Sequence, residues 1–239
     1  MLRDSTSLAS FADRGFHTAS ATSSRSRRSA LRQARATGIL LVNSPHRTPA
    51  VSHQPRLMHL DLLRDKSATF PLAAIPKGLD SLCVWHCKYK TLRPITELRN
   101  LRALKIASFP DDTLDFLTEL KELEWLSILH LPKVTSLRPI GRMRALRWLE
   151  LETLPSWDAS RKRTVVDSIG PLADLPSLQH VSLLGVVPED RSLQILTASR
   201  SLRTARLHGF AKDATAKFFA ETTVQNAHIP DHALQAQAA

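Results

Sequence analysis

The residue types best able to bind a metal in this chain are Cys83, His86 and Cys87, with His130 and His208 much further on. A zinc site needs four such ligands meeting at about 2.0–2.3 Å from one point. Cys83 and Cys87 lie four residues apart in a segment that reads as a strand, which sets their Cα atoms about 13 Å apart. A disulfide needs about 7 Å or less, so the spacing argues for neither a disulfide nor a shared metal. No metal or cofactor is expected. Glu150 and Glu152 are the one pair of carboxylates that could do acid–base work together. Flanked by leucines, they suit a solvated acidic patch or the rim of a basic ligand's site better. No nucleophile elbow, phosphate loop or zinc-binding helix is spelled out. Only about 29 residues follow Phe210, too few for an enzyme domain of ordinary size. No enzymatic activity is expected.

What positions these residues is a repeat. The phrase L-x-x-L-x-[LI]-x-x-apolar stands in full at Leu101, Leu123 and Leu146, and looser forms of it begin at Leu57, Leu79, Leu178 and Leu202, giving intervals of 22, 22, 22, 23, 32 and 24 residues along the chain. Before each new phrase comes an apolar triplet spaced by three: Leu92, Ile95 and Leu98; Leu114, Leu117 and Leu120; Leu137, Ile140 and Met143; Ile169, Leu172 and Leu175. Spacing of two, then of three, predicts a strand followed by a short helix or 3₁₀ turn in every unit. Pro94, Pro139 and Pro171 each precede the next leading leucine by seven residues, where proline suits the first helical position. Pro110, Pro132 and Pro155 take the tenth position and end the strand, since proline cannot donate to a ladder.

The chain divides accordingly into an Arg/Ser-rich segment (1–56), about seven repeats (57–210) and a C-terminal cap helix and tail (211–239). The unit at Leu146 is long by about nine residues; the extra stretch, 157–166, is expected to be a loop or a longer convex helix, because insertions in a solenoid go to one face. Ala211, Ala214 and Phe218 share one helical face and predict the cap that shields the last repeat. Val224, Ala227 and Ile229 mimic a further strand.

Net charge is +11, but it is unevenly placed. Residues 1–56 hold nine arginines, no lysine and two acids, Asp4 and Asp13, so +7 of the +11 resides there. Disorder is expected for a segment of this composition. It reads equally as a mitochondrial transit peptide, a bacterial secretion leader or a nucleic-acid-binding arm; a segment without function, with translation starting at Met58, is the competing reading. A cytoplasmic location is expected, or a mitochondrial or secreted one if the segment is a leader. The longest early apolar run, Gly38 to Val42, is too short for a membrane span.

Residues 57–210 resemble leucine-rich repeat proteins, and the L-R-P-I and G-P-L-A-D-L segments resemble the 22-residue class of bacterial internalins and of a eukaryotic phosphatase regulator. The resemblance implies an α/β fold: a right-handed solenoid with parallel strands on the concave face, short helices or 3₁₀ turns on the convex face, and a protein as ligand. One departure stands out. That class carries Asn or Cys at the ninth position, whereas here the column reads Cys87, Phe109, Leu131, Leu154, Val186 and Phe210. Apolar packing replaces the polar ladder in all but the first, so the turn's backbone must find other partners.

Positions one, four and six of each phrase should face the core, and three, five and seven should face outward. Three tryptophans, Trp85, Trp125 and Trp148, fall in the outward columns with Lys105, Leu129, Glu150, His180, Arg206 and His208. With His130 they form the expected partner-binding set, a non-enzymatic interaction surface with aromatic anchors and flanking charge. The open alternative is that terminal segments fold over the face and cover the tryptophans. A nucleic-acid or anionic-surface binder, acting through the basic segment and the Arg161-Lys162-Arg163 loop, is the second functional reading.

Overall fold

The structure, a computed structural model, describes residues 39–42 and 57–227. Seven strands occupy the places that the repeat predicts: β2 (His59–Leu63), β3 (Ser81–Trp85), β4 (Ala103–Ala107), β5 (Trp125–Leu129), β6 (Trp148–Glu152), β8 (His180–Leu184) and β10 (Thr204–His208). Two more complete one parallel sheet. β1 (Ile39–Val42) pairs with β2, and β11 (Gln225–Asn226) pairs with β10. The order is β1-β2-β3-β4-β5-β6-β8-β10-β11, so chain order and sheet order agree, as in a solenoid that adds one strand per coil. The register aligns the third positions throughout, from His59 opposite Ser81 to His180 opposite Thr204.

The sheet therefore starts at Ile39, inside the segment set apart from the repeats on composition. Four consecutive apolar residues, Ile39–Val42, give a short apolar strand. The expected disorder of the rest of residues 1–56 lies outside the described residues, as does Ile229 of the extra C-terminal phrase.

The core lies between the sheet and the convex side. Leu60, Leu82, Leu104, Leu126, Leu149, Val181 and Ala205 fill position four, each at 1% exposure or less. The convex triplets complete it; Ile95, Leu98, Leu114, Leu117, Leu137, Ile140 and Leu172 are all fully buried. The helical pieces are short: 3₁₀ turns at Leu72–Ala74, Arg93–Glu97, Asp115–Glu119, Ile140–Arg142 and Gln194–Ala198, and one α-turn, here α2, at Gly170–Ala173. Pro94 and Pro171 enter the first turn of theirs, where the missing N–H costs nothing.

The long unit holds more than the expected loop or longer convex helix. After β6 comes a five-residue helix, α1 (Pro155–Ala159), and then strand β7 (Thr164–Val166), which pairs in parallel with β9 (Val186–Pro188) in a small second sheet. The insertion thus prolongs the turn at the C-terminal ends of β6 and β8. α3 (Lys212–Glu221) is the cap helix, anchored by Phe218 at 2% exposure.

The eighth position of each phrase explains how the turn is satisfied without asparagine at the ninth. Arg64, His86, Ser108, His130, Gly185 and Gly209 all have positive φ. The N–H of residue eight donates to the carbonyl of residue seven in the next strand, as Arg64 does to Trp85, His86 to Ala107, Ser108 to Leu129 and His130 to Glu152, at 2.7–3.2 Å, and Thr153, whose φ is not positive, does the same to Leu184 at 2.8 Å. The ladder runs one residue past the strand and leaves less for a side-chain amide to do. The first unit adds a polar ninth residue, Asp65. It is 4% exposed, accepts a hydrogen bond from the Tyr89 hydroxyl at 2.9 Å, and its own N–H points to Cys87 Sγ at 3.4 Å. The Cys87 thiol in turn donates to the Leu62 carbonyl at 3.3 Å. Burial pushes both the Cys87 thiol and the Tyr89 hydroxyl up from their usual range.

Candidate interaction surface

The face opposite the core carries positions three, five and seven of the seven repeat strands, spaced about 4.8 Å apart. At its centre, Lys105 on β4 holds its ammonium 5.7 Å from the Trp85 ring and 5.8 Å from the Trp125 ring. Both distances fall within the reach of a cation–π contact. Trp148 stacks on His180 with ring centroids 5.1 Å apart and planes 12° apart, and the Arg147 guanidinium lies 4.9 Å from the indole. Along the rim at the strands' N-terminal ends, Glu124 pairs with Arg102 and approaches Arg147 at 3.9 Å.

Glu150 and Glu152 stand next in line on β6, beyond Trp148. Burial, and then the Glu150 charge, hold the Glu152 carboxyl above the usual carboxylate range, with Arg206 and Lys105 pulling the other way. The two glutamates, Lys105 and Arg206 therefore share one electrostatic neighbourhood that crosses β4, β5, β6, β8 and β10.

The expectation that the tryptophans are open to solvent needs correction for two of them. Trp125 is 2% and Trp148 7% exposed, and with Ala103 they form a small apolar cluster of their own, separate from the core. Trp85 and Leu129 are half-buried; Arg206 and His208 are exposed. The cluster also holds an oddity: Trp125 Nε1 is buried without a hydrogen-bond partner, and so is the Ser182 hydroxyl on β8 of the same face. Buried polar hydrogens without partners are uncommon and costly.

His130 does not belong to this face. As an eighth-position residue with φ of 67° it sits at the strands' C-terminal rim, where its ring meets Trp157 of α1 edge to face, with centroids 4.9 Å apart. His86 occupies the same rim with Nδ1 3.0 Å from the Ser108 hydroxyl. Burial lowers the pKa of both, helped for His86 by Arg64 and Lys88 and for His130 by His86. Alternation by two places such residues wrongly, because the chain leaves the strand just there. Cys83 and Cys87 are free thiols, and no group of three or more metal-ligating side chains comes together among the described residues. In the insertion, Lys162 lies 5.9 Å from the Trp157 ring, and Arg161 and Lys162 are exposed.

One parallel strand per coil, a 22-residue beat and convex 3₁₀ turns define a leucine-rich repeat solenoid, and that is this chain's fold. No protein-family model and no curated protein matches the sequence. Among solved structures it is similar to the TLR13 chain of a TLR13–ssRNA13 complex, with 21% identity and a TM-score of 0.52 over 72% of this chain and 25% of that one. It is also similar to an internalin, inlF, of Listeria monocytogenes, at 19% identity and a TM-score of 0.45 over 69% of this chain and 52% of that one. A leucine-rich repeat protein of Leptospira interrogans gives 18% and 0.46, over 80% and 56%. The chain thus spans about half the length of the internalin and a quarter of TLR13. At these identities the likeness concerns the fold. No helix among the described residues is long and apolar enough to cross a membrane.

Proposed function

We propose that the chain is a non-enzymatic protein-interaction module that takes its partner on the concave face. The observation that supports this is the Trp85–Lys105–Trp125 arrangement beside Glu150, Glu152 and Arg206. The core needs none of these side chains, because it lies on the other side of the sheet. Aromatic rings interleaved with charges of both signs are the composition of protein-binding centres. Trp85 and Lys105 are the contact residues of choice; Trp125 and Trp148 act as the packed floor beneath them.

The experiment is affinity capture with the full chain, followed by titration of the retained protein, once purified, against Trp85→Ala and Lys105→Glu variants of unchanged melting temperature. Each change is expected to weaken binding at least ten-fold, the scale of a centre residue worth more than about 1.4 kcal/mol. Unaltered affinity in both sinks the concave-face reading. The second reading, a nucleic-acid or anionic-surface binder, draws on exposed Arg161 and Lys162 beside Trp157. It predicts instead a steep fall of binding with salt and insensitivity to the concave-face changes.

A further inference from the structure

The fifth-position column of the concave face carries a pattern that the fold itself does not require. In register from strand to strand it runs Asp61, Cys83, Lys105, Ser127, Glu150, Ser182 and Arg206. A charge stands on every second strand, about 9.6 Å from the next, and the signs alternate: minus, plus, minus, plus. One small side chain, Cys83, Ser127 or Ser182, separates each charge from the next. All four charged residues reach the surface; Asp61, Lys105 and Glu150 are half-buried and Arg206 is exposed. The core contains none of them.

A row of this kind is complementary to itself. Among the repeat strands, three lie on each side of β5. A half-turn about an axis parallel to the strands, through β5, therefore sets β2 opposite β10 and β4 opposite β6 of a second copy. Asp61 then faces Arg206 and Lys105 faces Glu150, and each pairing occurs twice, as an isologous interface requires. A half-turn about an axis crossing the strands would set each charge against its own kind. The seventh-position column accepts the same rotation. Trp85 meets Leu184, Leu129 meets its own counterpart on the axis, and Glu152 meets the small Ala107 next to Lys105. At the rim the rotation opposes Arg102 to Arg147, but each turns to Glu124 of its own copy. Seven strands of five residues cover about 29 by 17 Å, roughly 500 Å² per copy, toward the small end of specific contacts.

We infer that the concave face takes a second copy of this chain, face to face, through the Asp61–Arg206 and Lys105–Glu150 pairs about an axis at Ser127 and Leu129. This rests on the reading of the concave face as the binding surface and gives that surface its first partner. The ions keep the contacts they make within one copy, and the second copy adds a counter-ion across the face. An outside protein then has to displace the second copy.

Sedimentation velocity of the full chain over about 1–100 μM tests this, the weak side of what interfaces of this size reach. A monomer–dimer equilibrium is expected. Lys105→Glu alone and Glu150→Lys alone, each folded as judged by melting temperature, should weaken the dimer at least ten-fold. An equimolar mixture of the two variants should recover it, because each reversed charge then meets its opposite on the other copy. Asp61→Arg and Arg206→Asp repeat the exchange at the ends of the row, should a central reversal unfold the chain. A monomer at every concentration overturns the inference. So does a dimer indifferent to the reversals, or a mixture that stays as dissociated as its components. The concave-face reading is judged separately, by titrating a captured partner against Trp85→Ala. Weakened capture with a monomeric chain leaves that reading standing and removes only the second copy. Unaltered capture with a monomeric chain removes both.

Discussion

Tyr89 and Asp65 make a buried contact whose worth is set by what removal leaves behind. Tyr89→Phe strips a 2.9 Å hydrogen bond from a carboxylate that is 4% exposed. Losing a hydrogen bond to this buried carboxylate should cost about 1–3 kcal/mol, read as a shift of the urea midpoint with unchanged slope. Glu152 works in the other direction. Its carboxyl is held above its ordinary range by burial and by Glu150, so the folded state prefers it protonated. Stability from this source is complete below the ordinary carboxylate value and is lost as pH rises through the raised one. Glu152→Gln is therefore expected to raise the melting temperature at pH 7 and to leave it unchanged near pH 3. Equal shifts at both values would remove titration as the cause. At the same scale, Trp125 and Trp148 cannot serve as tests of binding, since truncating a buried indole should cost about 3–5 kcal/mol in stability. Trp85, half-buried, can.

For a single coil, two positions decide whether it closes. Leu126 lies in the fourth-position column at 0% exposure, and Leu126→Ala should cost about 2–5 kcal/mol in a denaturant titration. No measurable loss would refute the register that the sheet displays. The eighth position is constrained by backbone shape instead. Gly185 has φ of 73°, and an added Cβ would stand 2.3 Å from the Thr153 hydroxyl. Gly185→Ala thus combines a left-handed backbone with a clash, and more than about 2 kcal/mol should be lost; thermal unfolding measures it. His86, Ser108 and His130 take the same left-handed step without glycine. Of the candidate surface, the columns for Trp85, Lys105, Glu150 and Arg206 were legible from alternation alone. His130 was not, because alternation stops where φ turns positive. The small β7–β9 sheet also escaped the pattern, since three-residue strands carry too few residues to show a period.

Across the whole molecule, each coil rests on its neighbours, so stability is a sum of units and interfaces. The ends are then the weak points. α3 covers the last coil through Phe218, and Phe218→Ala should loosen the C-terminal coils ahead of the rest, with faster hydrogen exchange in β10 and β11 and little change in β4 and β5. Uniform acceleration along the sheet would show global rather than local unfolding.

A period of 22 residues and an inside–outside alternation are one-dimensional properties, and a solenoid is a nearly one-dimensional fold. That is why the order of strands, the core columns and the convex turns could be read from the residues between Leu57 and Phe210 before any coordinate. The tertiary structure decided what no periodicity encodes. It showed β1 joining the sheet from an apolar run too short to carry a repeat, and the eighth position taking over the turn's hydrogen bonds. It also sank Trp125 and Trp148 into a cluster of their own. Each depends on how far one backbone stands from another, and the spacing of residues along a chain does not contain that distance.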